Sequence, residues 1–204
     1  ALTPNLHDNL HMLLEKVKSK GAFTVVNTVY DFRSEKENPK KPWPLGDSES
    51  SFPNIDILIM DLEEAKRISG YENVNDIVNF FKQNVSAFAI TQGSNSVIFY
   101  STGKAFKKDF GKLPVSFEVK NKIQKNEYNG DTTGCGDNFV GGMTVSIARQ
   151  LLNQKGKLNL REAVIAGICS GGFACSYHGG TYFEDTPGEK KQQIGKLISA
   201  YKNQ

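Results

Sequence analysis

Short apolar segments of strand length alternate with amphipathic segments along this chain, and this alternation limits the fold more than any other feature of its sequence. Residues 55–60 have the length and the branched apolar side chains of a buried strand. Asp61 followed by Glu64 is then typical of a helix start. Strands are next predicted at Ala87–Thr91 and Ser96–Ser101. Because strands that alternate with helices pair in parallel, the sequence predicts a layered α/β fold with a mainly parallel central sheet.

The other segments add helices, strands and one long irregular region to this pattern. Prolines and charged residues crowd residues 31–53, which we predict to be a long surface loop, with Trp43 as a candidate cover for a neighbouring site. Further strands are predicted at residues 22–28 and 114–119, and helices from Pro4 to Gly21, from Asn73 or Asn75 onward, and at residues 135–154, 160–177 and 187–202.

Composition and charge are those of an ordinary globular protein. The 204 residues are 38% hydrophobic and 23% charged, which suits one domain over residues 1–204. The net charge of +3 is small and gives no argument for a nucleic-acid partner, and the apolar runs are too short for a membrane span. Cys135, Cys169 and Cys175 form no C-x-x-C pair, which favours free thiols in a reducing compartment, the cytoplasm.

Residues 131–142, with the sequence DTTGCGDNFVGG, carry the strongest chemical signal in the chain. Gly134 and Gly136 end a polar loop immediately before an amphipathic helix, so backbone N–H groups at the helix start can bind an anion. Asp137 lies in the same first turn, where a carboxylate would repel a phosphate. Its presence is explained if it removes a proton from a hydroxyl while the amides hold a phosphoryl group. The simpler alternative is a glycine-rich helix start in which Asp137 only stabilises the helix dipole.

This segment resembles the pfkB carbohydrate kinases, whose signature has the form D-T-x-G-A-G-D-x-F-x-x-G, with Cys135 in place of the usual alanine. The resemblance implies a ribokinase-like layered α/β/α fold, and it makes Asp137 the base that activates the acceptor hydroxyl. It also implies that the amides of residues 134–136 form the anion hole. Asp131 and Thr133 match positions that commonly line a monovalent-cation site, here one for K⁺.

A second, weaker match to the family lies upstream. Asp61 and Glu64 occupy the ends of a segment similar to the family's N-x-x-E motif, which organises Mg²⁺-bound phosphates through water. Aspartate replaces the asparagine, and its added negative charge favours metal over naked nucleotide. A capping box at the start of the following helix explains both residues without any ligand, and this alternative stays open.

A third match is the sequence Thr91, Gln92, Gly93, which resembles the family's T-x-G turn. In the family this turn touches the nucleotide phosphate and ribose. A second glycine usually stands where this chain has Ser96. An ordinary turn between two strands explains the residues equally well, although the order of the three matches along the chain agrees with the family.

The cysteine within the signature suggests a hypothesis of its own. A thiol in the first turn of a helix is expected to have a lowered pKa and enhanced reactivity. Cys135 is therefore a candidate reactive thiol. The alternative is that a small side chain is simply tolerated where alanine fits.

The resemblance covers the C-terminal portion of the family. Together with a first residue that is Ala1 and not methionine, this predicts a fragment or a shortened relative that lacks the family's N-terminal strands, its lid and its acceptor-binding residues. Strand edges left without their partners would favour self-association, for example as a homodimer.

The resemblance implies an ATP- and Mg²⁺-dependent kinase that phosphorylates a hydroxymethyl group on a small sugar or nucleoside-like molecule. A nucleotide-binding sensor or structural subunit without catalytic activity is the alternative, and the altered positions Asp61 and Ser96 favour it while Asp137 argues against it. A vitamin-like hydroxymethyl compound is a further candidate acceptor, since its phosphorylation uses the same chemistry.

Overall fold

The computed structural model describes residues 3–46, 49–153 and 156–204, which fall into two compact units. Unit 1 contains the chain up to Gly93 together with Ile98–Phe110, and unit 2 contains Ser94–Val97 together with Gly111–Gln204. The strands are β1 Val25–Asn27, β2 Ile57–Asp61, β3 Ala87–Thr91, β4 Ser96–Ser101 and β5 Asp109–Pro114. The helices are α1 Pro4–His7, α2 Leu10–Ser19, α3 Phe32–Glu37, a 3₁₀ helix at Glu49–Asn54, α4 Leu62–Ser69, α5 Val74–Asn84, α6 Phe117–Gln124, α7 Cys135–Asn153, α8 Leu160–Ala174 and α9 Glu189–Tyr201.

The strands form one sheet in chain order, from β1 to β5. β1 pairs with β2 and β2 with β3 in parallel, and Asp61 and Thr91 are direct neighbours at the ends of β2 and β3. The connection from β3 to β4 is too short for a parallel crossover, so the sheet is mixed beyond its parallel part. The predicted layered α/β class with a mainly parallel sheet is therefore confirmed.

The core of unit 1 forms where α2, α4 and α5 pack on the apolar strands. β2 is buried along its apolar residues, and Ile77, Val78 and Phe81 of α5 are buried together with Phe88 of β3, as the helical spacing predicts. Asn73 caps α5 by accepting a hydrogen bond from the N–H of Asn75 at 2.8 Å. The cap and the apolar period both agree with the predicted helix.

The prediction of a long surface loop or insertion over residues 31–53 holds only in part for the described residues, because α3 lies within it, and residues 47 and 48 lie outside the described ranges. The role suggested for Trp43, as a cover for a neighbouring site, is wrong. This indole is only 3% exposed and belongs to the core of unit 1, where it packs edge-on against the ring of Tyr30. Its Nε1–H donates to Glu35 of α3, and its backbone N–H donates to the carbonyl of Arg67. Prolines prevent a long regular element here, but they do not prevent burial of an aromatic side chain.

Residues 114–119 are also not a strand, in contrast to the prediction. β5 ends at Pro114, and Ser116 caps α6 by accepting a hydrogen bond from the N–H of Val119. The alternating apolar residues therefore lie partly after the end of β5 and partly at the start of α6. Over so few residues, an alternating apolar pattern does not distinguish a strand from a helix start. The first helix is likewise two short helices, α1 and α2, while α7, α8 and α9 lie within the predicted ranges.

Glycines allow α7 and α8 of unit 2 to pack closely. A Cβ built on Gly142 would lie 2.6 Å from the carbonyl oxygen of Ala166 and 2.6 Å from Cβ of Ser170, so the two backbones approach too closely for a side chain. Gly167 of α8 is similarly covered by Phe139 and Met143 of α7. The last glycine of the signature therefore has a packing role. In the described part of the chain, no helix is long and apolar enough to cross a membrane.

Candidate functional site

Asp61 and Glu64 form a complete capping box at the start of α4, in unit 1. The Asp61 carboxylate accepts the N–H of Glu64 at 2.7 Å, and Oε2 of Glu64 accepts the N–H of Asp61 at 3.0 Å. The capping interpretation is thus confirmed. A role for the two carboxylates toward Mg²⁺ and phosphate stays a prediction.

Glu64 has a third partner that the sequence analysis missed. The hydroxyl of Thr28, the residue after β1, donates to Oε2 of Glu64 at 2.6 Å. Burial raises the pKa of Glu64 above its ordinary value, against the hydrogen bonds from Thr28 and Asp61 that lower it. Oε1 receives no hydrogen bond from the residues that the structure describes, so it is free to contact a hydrated cation. The position of Thr28 directly after a strand was the only signal that the sequence offered.

We expect the Glu64→Gln substitution to remove a pH dependence of stability. Because the folded-state pKa lies above the ordinary 4.5, the stabilisation associated with Glu64 is fully present below about pH 4.5 and is lost as the pH rises through the raised value. Urea unfolding across this range should show wild type losing stability relative to Glu64→Gln as the pH rises. Glu63→Gln, at an exposed position of the same helix, keeps Glu64 and should lose stability over this range as wild type does. Parallel pH profiles for wild type and Glu64→Gln would contradict the prediction.

Thr91 pairs with Asp61 of the capping box across the parallel strands β2 and β3. Gly93 follows two residues later, also in unit 1. Thr91 ends β3 beside Asp61, so both residues stand at the carboxyl edge of the parallel strands. Gly93 has a φ of +57° and nothing within 4 Å of a Cβ position, so the turn needs glycine for its backbone conformation and not for space. Ser96, where the family usually has glycine, is buried at the start of β4.

The loop before α7, in unit 2, is held against the chain after α8. Asp131 accepts the N–H of Thr133 at 2.8 Å and the N–H of Gly179 at 3.3 Å, and these hydrogen bonds, the one from Thr133 foremost, lower its pKa. Gly134 has a φ of +73°, and a Cβ there would lie 2.6 Å from Cα of Gly180. Both the positive φ and the close approach of Gly180 therefore require glycine at position 134.

Asn138 is the residue that connects these two segments, and the sequence analysis did not single it out. Its Nδ2 donates to the carbonyls of Gly134 at 2.9 Å and Gly180 at 3.2 Å. Its Oδ1 accepts from the ammonium of Lys190 at 2.8 Å and from the hydroxyl of Tyr177 at 3.4 Å. A buried amide with all of these bonds fixes the backbone immediately before Asp137. No sequence signal relates position 138 to position 190.

Asp137 is exposed in the first turn of α7 and lines a groove of about 850 Å³ within unit 2. None of the residues described by the structure donates a hydrogen bond to its carboxylate. Lys190 and Arg149 line the same groove, and neither forms an ion pair within the described ranges. The groove therefore combines an available carboxylate with two cationic side chains, an arrangement suited to a ligand that carries phosphate.

The prediction of a lowered pKa for Cys135 is wrong. Its Sγ lies 3.5 Å from Sγ of Cys175, and this hydrogen bond, together with burial, raises the pKa of Cys135. The same hydrogen bond lowers the pKa of Cys175 to about 7. The contact across 40 residues outweighs the helix N-terminus, on which the prediction was based. Cys169 is fully buried in α8, and burial raises its pKa to about 12.

Solved structures of small-molecule kinases resemble most of this chain in fold. Phosphofructokinase-2 from Escherichia coli, in its tetrameric inhibited form, matches with a TM-score of 0.63 and 13% identity, over 96% of this chain and 52% of its own. Ribokinase from Arabidopsis thaliana, complexed with ribose and ATP, matches with a TM-score of 0.58 and 16% identity, over 93% and 51%. Adenosine kinase from Schistosoma mansoni, in complex with adenosine and AMP, matches with a TM-score of 0.59 and 12% identity, over 87% and 49%.

At such low identities these structures establish the fold alone, and the chain spans about half the length of each of them. No curated protein sequence matches the chain significantly. A model of the pfkB family of carbohydrate kinases matches residues 4–187, which is most of the chain and includes the signature at residues 131–142. The family predicted from the signature is therefore confirmed: the chain belongs to the pfkB family of carbohydrate kinases.

Proposed function

We propose that this chain carries the nucleotide-binding and catalytic residues of a kinase that transfers the γ-phosphate of ATP to a hydroxymethyl group. The observation that supports this most directly is the exposed carboxylate of Asp137, which lines the groove from the first turn of α7, directly after residues 134–136 in the chain. A carboxylate and an anion-binding helix start at one place suit the transfer of phosphate to a hydroxyl better than simple phosphate binding.

In this proposal Asp137 removes the proton of the acceptor hydroxyl as the bond to phosphorus forms. The amides of Gly134 and Gly136 stabilise the charge that develops on the transferred group, whereas the N–H of Cys135, which the signature also predicted in this role, donates to the carbonyl of Thr132 at 3.2 Å. Asn138 keeps the loop in position because its Nδ2 donates to the Gly134 carbonyl, and Lys190 in turn donates to Oδ1 of Asn138.

The proposed roles in unit 1 concern the nucleotide. Glu64 would hold Mg²⁺ through water, since Oε1 receives no hydrogen bond from a described residue and oxygen ligands are those that Mg²⁺ prefers. When bound, Mg²⁺ supplies charge neutralisation to the phosphates. Asp61, Thr91 and Gly93 would contact the nucleotide at the carboxyl edge of the strands, where ligands of open α/β sheets commonly bind.

Asp131 and Thr133 would supply oxygen ligands to K⁺. The Asp131 carboxylate accepts N–H groups from Thr133 and Gly179, and it retains lone pairs beyond these bonds. Its lowered pKa keeps it ionised at neutral pH, as a cation ligand requires.

The proposed acceptor is a sugar or a nucleoside-like molecule. The similar structures include a ribokinase with ribose and ATP and an adenosine kinase with adenosine and AMP, which suggests this range of acceptors. We propose that residues 1–204 form part of a single ribokinase-like domain. The choice among acceptors then rests on the acceptor-binding residues, which are not among the site residues proposed here.

Titration with ATP, followed by a screen for phosphoryl transfer, tests the proposal. We expect ATP to bind in the presence of Mg²⁺, and we expect labelled γ-phosphate to reach at least one acceptor in a panel of pentoses, hexoses, nucleosides and hydroxymethyl vitamins. Chelation of Mg²⁺ should abolish transfer. Binding of ATP without transfer to any acceptor would contradict the kinase and favour a nucleotide-binding sensor.

A further inference from the structure

Two thiols face each other where the loop before α7 meets the end of α8. Sγ of Cys135, the first residue of α7, lies 3.5 Å from Sγ of Cys175, the residue that follows α8. Both cysteines are free and partly exposed. We propose that Cys135 and Cys175 form a reversible dithiol–disulfide site, which is oxidised by small disulfides of the glutathione type. This inference goes beyond the proposed kinase activity and does not depend on it.

Hydrogen bonds and close packing hold together the backbone segments that carry the two cysteines. Gly130 donates its N–H to the carbonyl of Cys175 at 3.1 Å, and Asp131 donates to the carbonyl of Tyr177 at 3.3 Å. A Cβ built on Gly171 would lie 2.9 Å from the carbonyl oxygen of Cys135, so α8 also contacts this residue closely. The sulfurs must approach from 3.5 Å to about 2.0 Å to form the bond.

The third cysteine shows what distinguishes the pair. Cys169 is fully buried within α8, and no thiol partner for it is found among the residues that the structure describes. A small disulfide reagent reaches partly exposed sulfurs but not a fully buried one. Cys169 lies in α8, which Cys175 directly follows, so it serves as an internal control for a thiol that should not react.

The reaction consists of two thiol–disulfide exchanges. The thiolate of one cysteine attacks oxidised glutathione, which forms a mixed disulfide and releases one glutathione thiolate. The second cysteine, as thiolate, attacks the protein sulfur of this mixed disulfide and releases the second glutathione. The two protein thiols lose two electrons and two protons, and one oxidised glutathione becomes two reduced molecules. An excess of dithiothreitol reverses both steps.

The link would join the first residue of α7 to the end of α8. It would lie next to the peptide groups of Gly134 and Gly136, and two residues from Asp137. Cys135, which stands where the family signature has alanine, is thus the residue whose thiol faces that of Cys175.

Oxidation of the folded protein followed by intact-mass analysis tests the site. We expect wild type treated with oxidised glutathione, and then blocked with an alkylating reagent, to lose about 2 Da without gaining glutathione. Peptide mapping should identify a Cys135–Cys175 link, while Cys169 stays reduced. In the Cys135→Ala and Cys175→Ala variants, the remaining partner should carry one glutathione instead. Treatment with dithiothreitol should restore the starting mass in each case.

Two outcomes would overturn the proposal. One is wild type in which Cys135 and Cys175 remain alkylated as thiols or carry separate glutathiones. The other is a link that involves Cys169. Neither readout requires ATP binding or kinase turnover, so a failure of the proposed function leaves this test intact, and the reverse also holds.

Discussion

The Asp137→Asn variant is expected to lose about 10²–10⁴-fold in kcat for phosphoryl transfer while its Kd for ATP stays within about twofold of wild type. Asparagine has nearly the shape of aspartate, but it cannot accept the proton of a hydroxyl. The side chain is exposed and no described residue hydrogen-bonds it, so the substitution should leave the packing of α7 unchanged. Steady-state kinetics with the acceptor found in the screen give kcat, and calorimetric titration gives the Kd.

Glu162→Gln is the matched control for Asp137→Asn. Glu162 lines the same groove from the first turn of α8, so its substitution removes the same charge without altering the start of α7. We expect its kcat to stay within about threefold of wild type, since Glu162 is exposed and its charge is screened by solvent and salt. Equal losses in both variants would show that the charge of the groove matters and not a base at Asp137. Turnover of Asp137→Asn close to wild type would remove Asp137 from the mechanism.

The Gly142→Ala variant is expected to unfold with a free energy about 1–3 kcal/mol lower than wild type. The added methyl group would lie 2.6 Å from the Ala166 carbonyl oxygen and 2.6 Å from Cβ of Ser170, so α7 and α8 must move apart. Because backbone atoms form part of this contact, rotation of a flexible side chain cannot relieve it. Chemical denaturation followed by circular dichroism measures the change.

Gly141→Ala makes the same chemical change one residue earlier in the same helix. Nothing lies within 4 Å of a Cβ on Gly141, so alanine should stabilise α7 by up to about 1 kcal/mol through its higher helix propensity. The two variants should therefore shift the denaturation midpoint in opposite directions. A Gly142→Ala protein as stable as Gly141→Ala would mean that the close packing of α7 and α8 does not contribute to stability.

Elements with strong local signals were predicted from the sequence with little error. The strands β3 and β4 have the predicted bounds, α7 begins at Cys135, and α4 and α5 begin after the predicted caps Asp61 and Asn73. Caps, apolar periods and glycine turns depend on residues within a few positions of each other. The family, too, follows from a contiguous motif at residues 131–142.

One error arose where distant residues decide the structure, and another where a local helix cap was overlooked. Trp43 was expected in a surface loop, but Tyr30 and the carbonyl of Arg67 hold it in the core of unit 1. The segment after Pro114 has alternating apolar residues and still forms a helix, because Ser116 supplies a cap. Local apolar patterns do not show which neighbour will cover them.

The sequence by itself determined the family, the α/β class and the residues that form the signature, including Asp137. Only the tertiary structure showed that Asn138 joins Gly134 to Lys190 and that Cys135 has a thiol partner in Cys175. These contacts join positions about 40 to 50 residues apart. No local pattern encodes such a contact, because it exists only once the packing of α7, α8 and α9 brings the chain segments together. That packing, in turn, depends on the close approach of α7 and α8 that Gly142 and Gly167 permit.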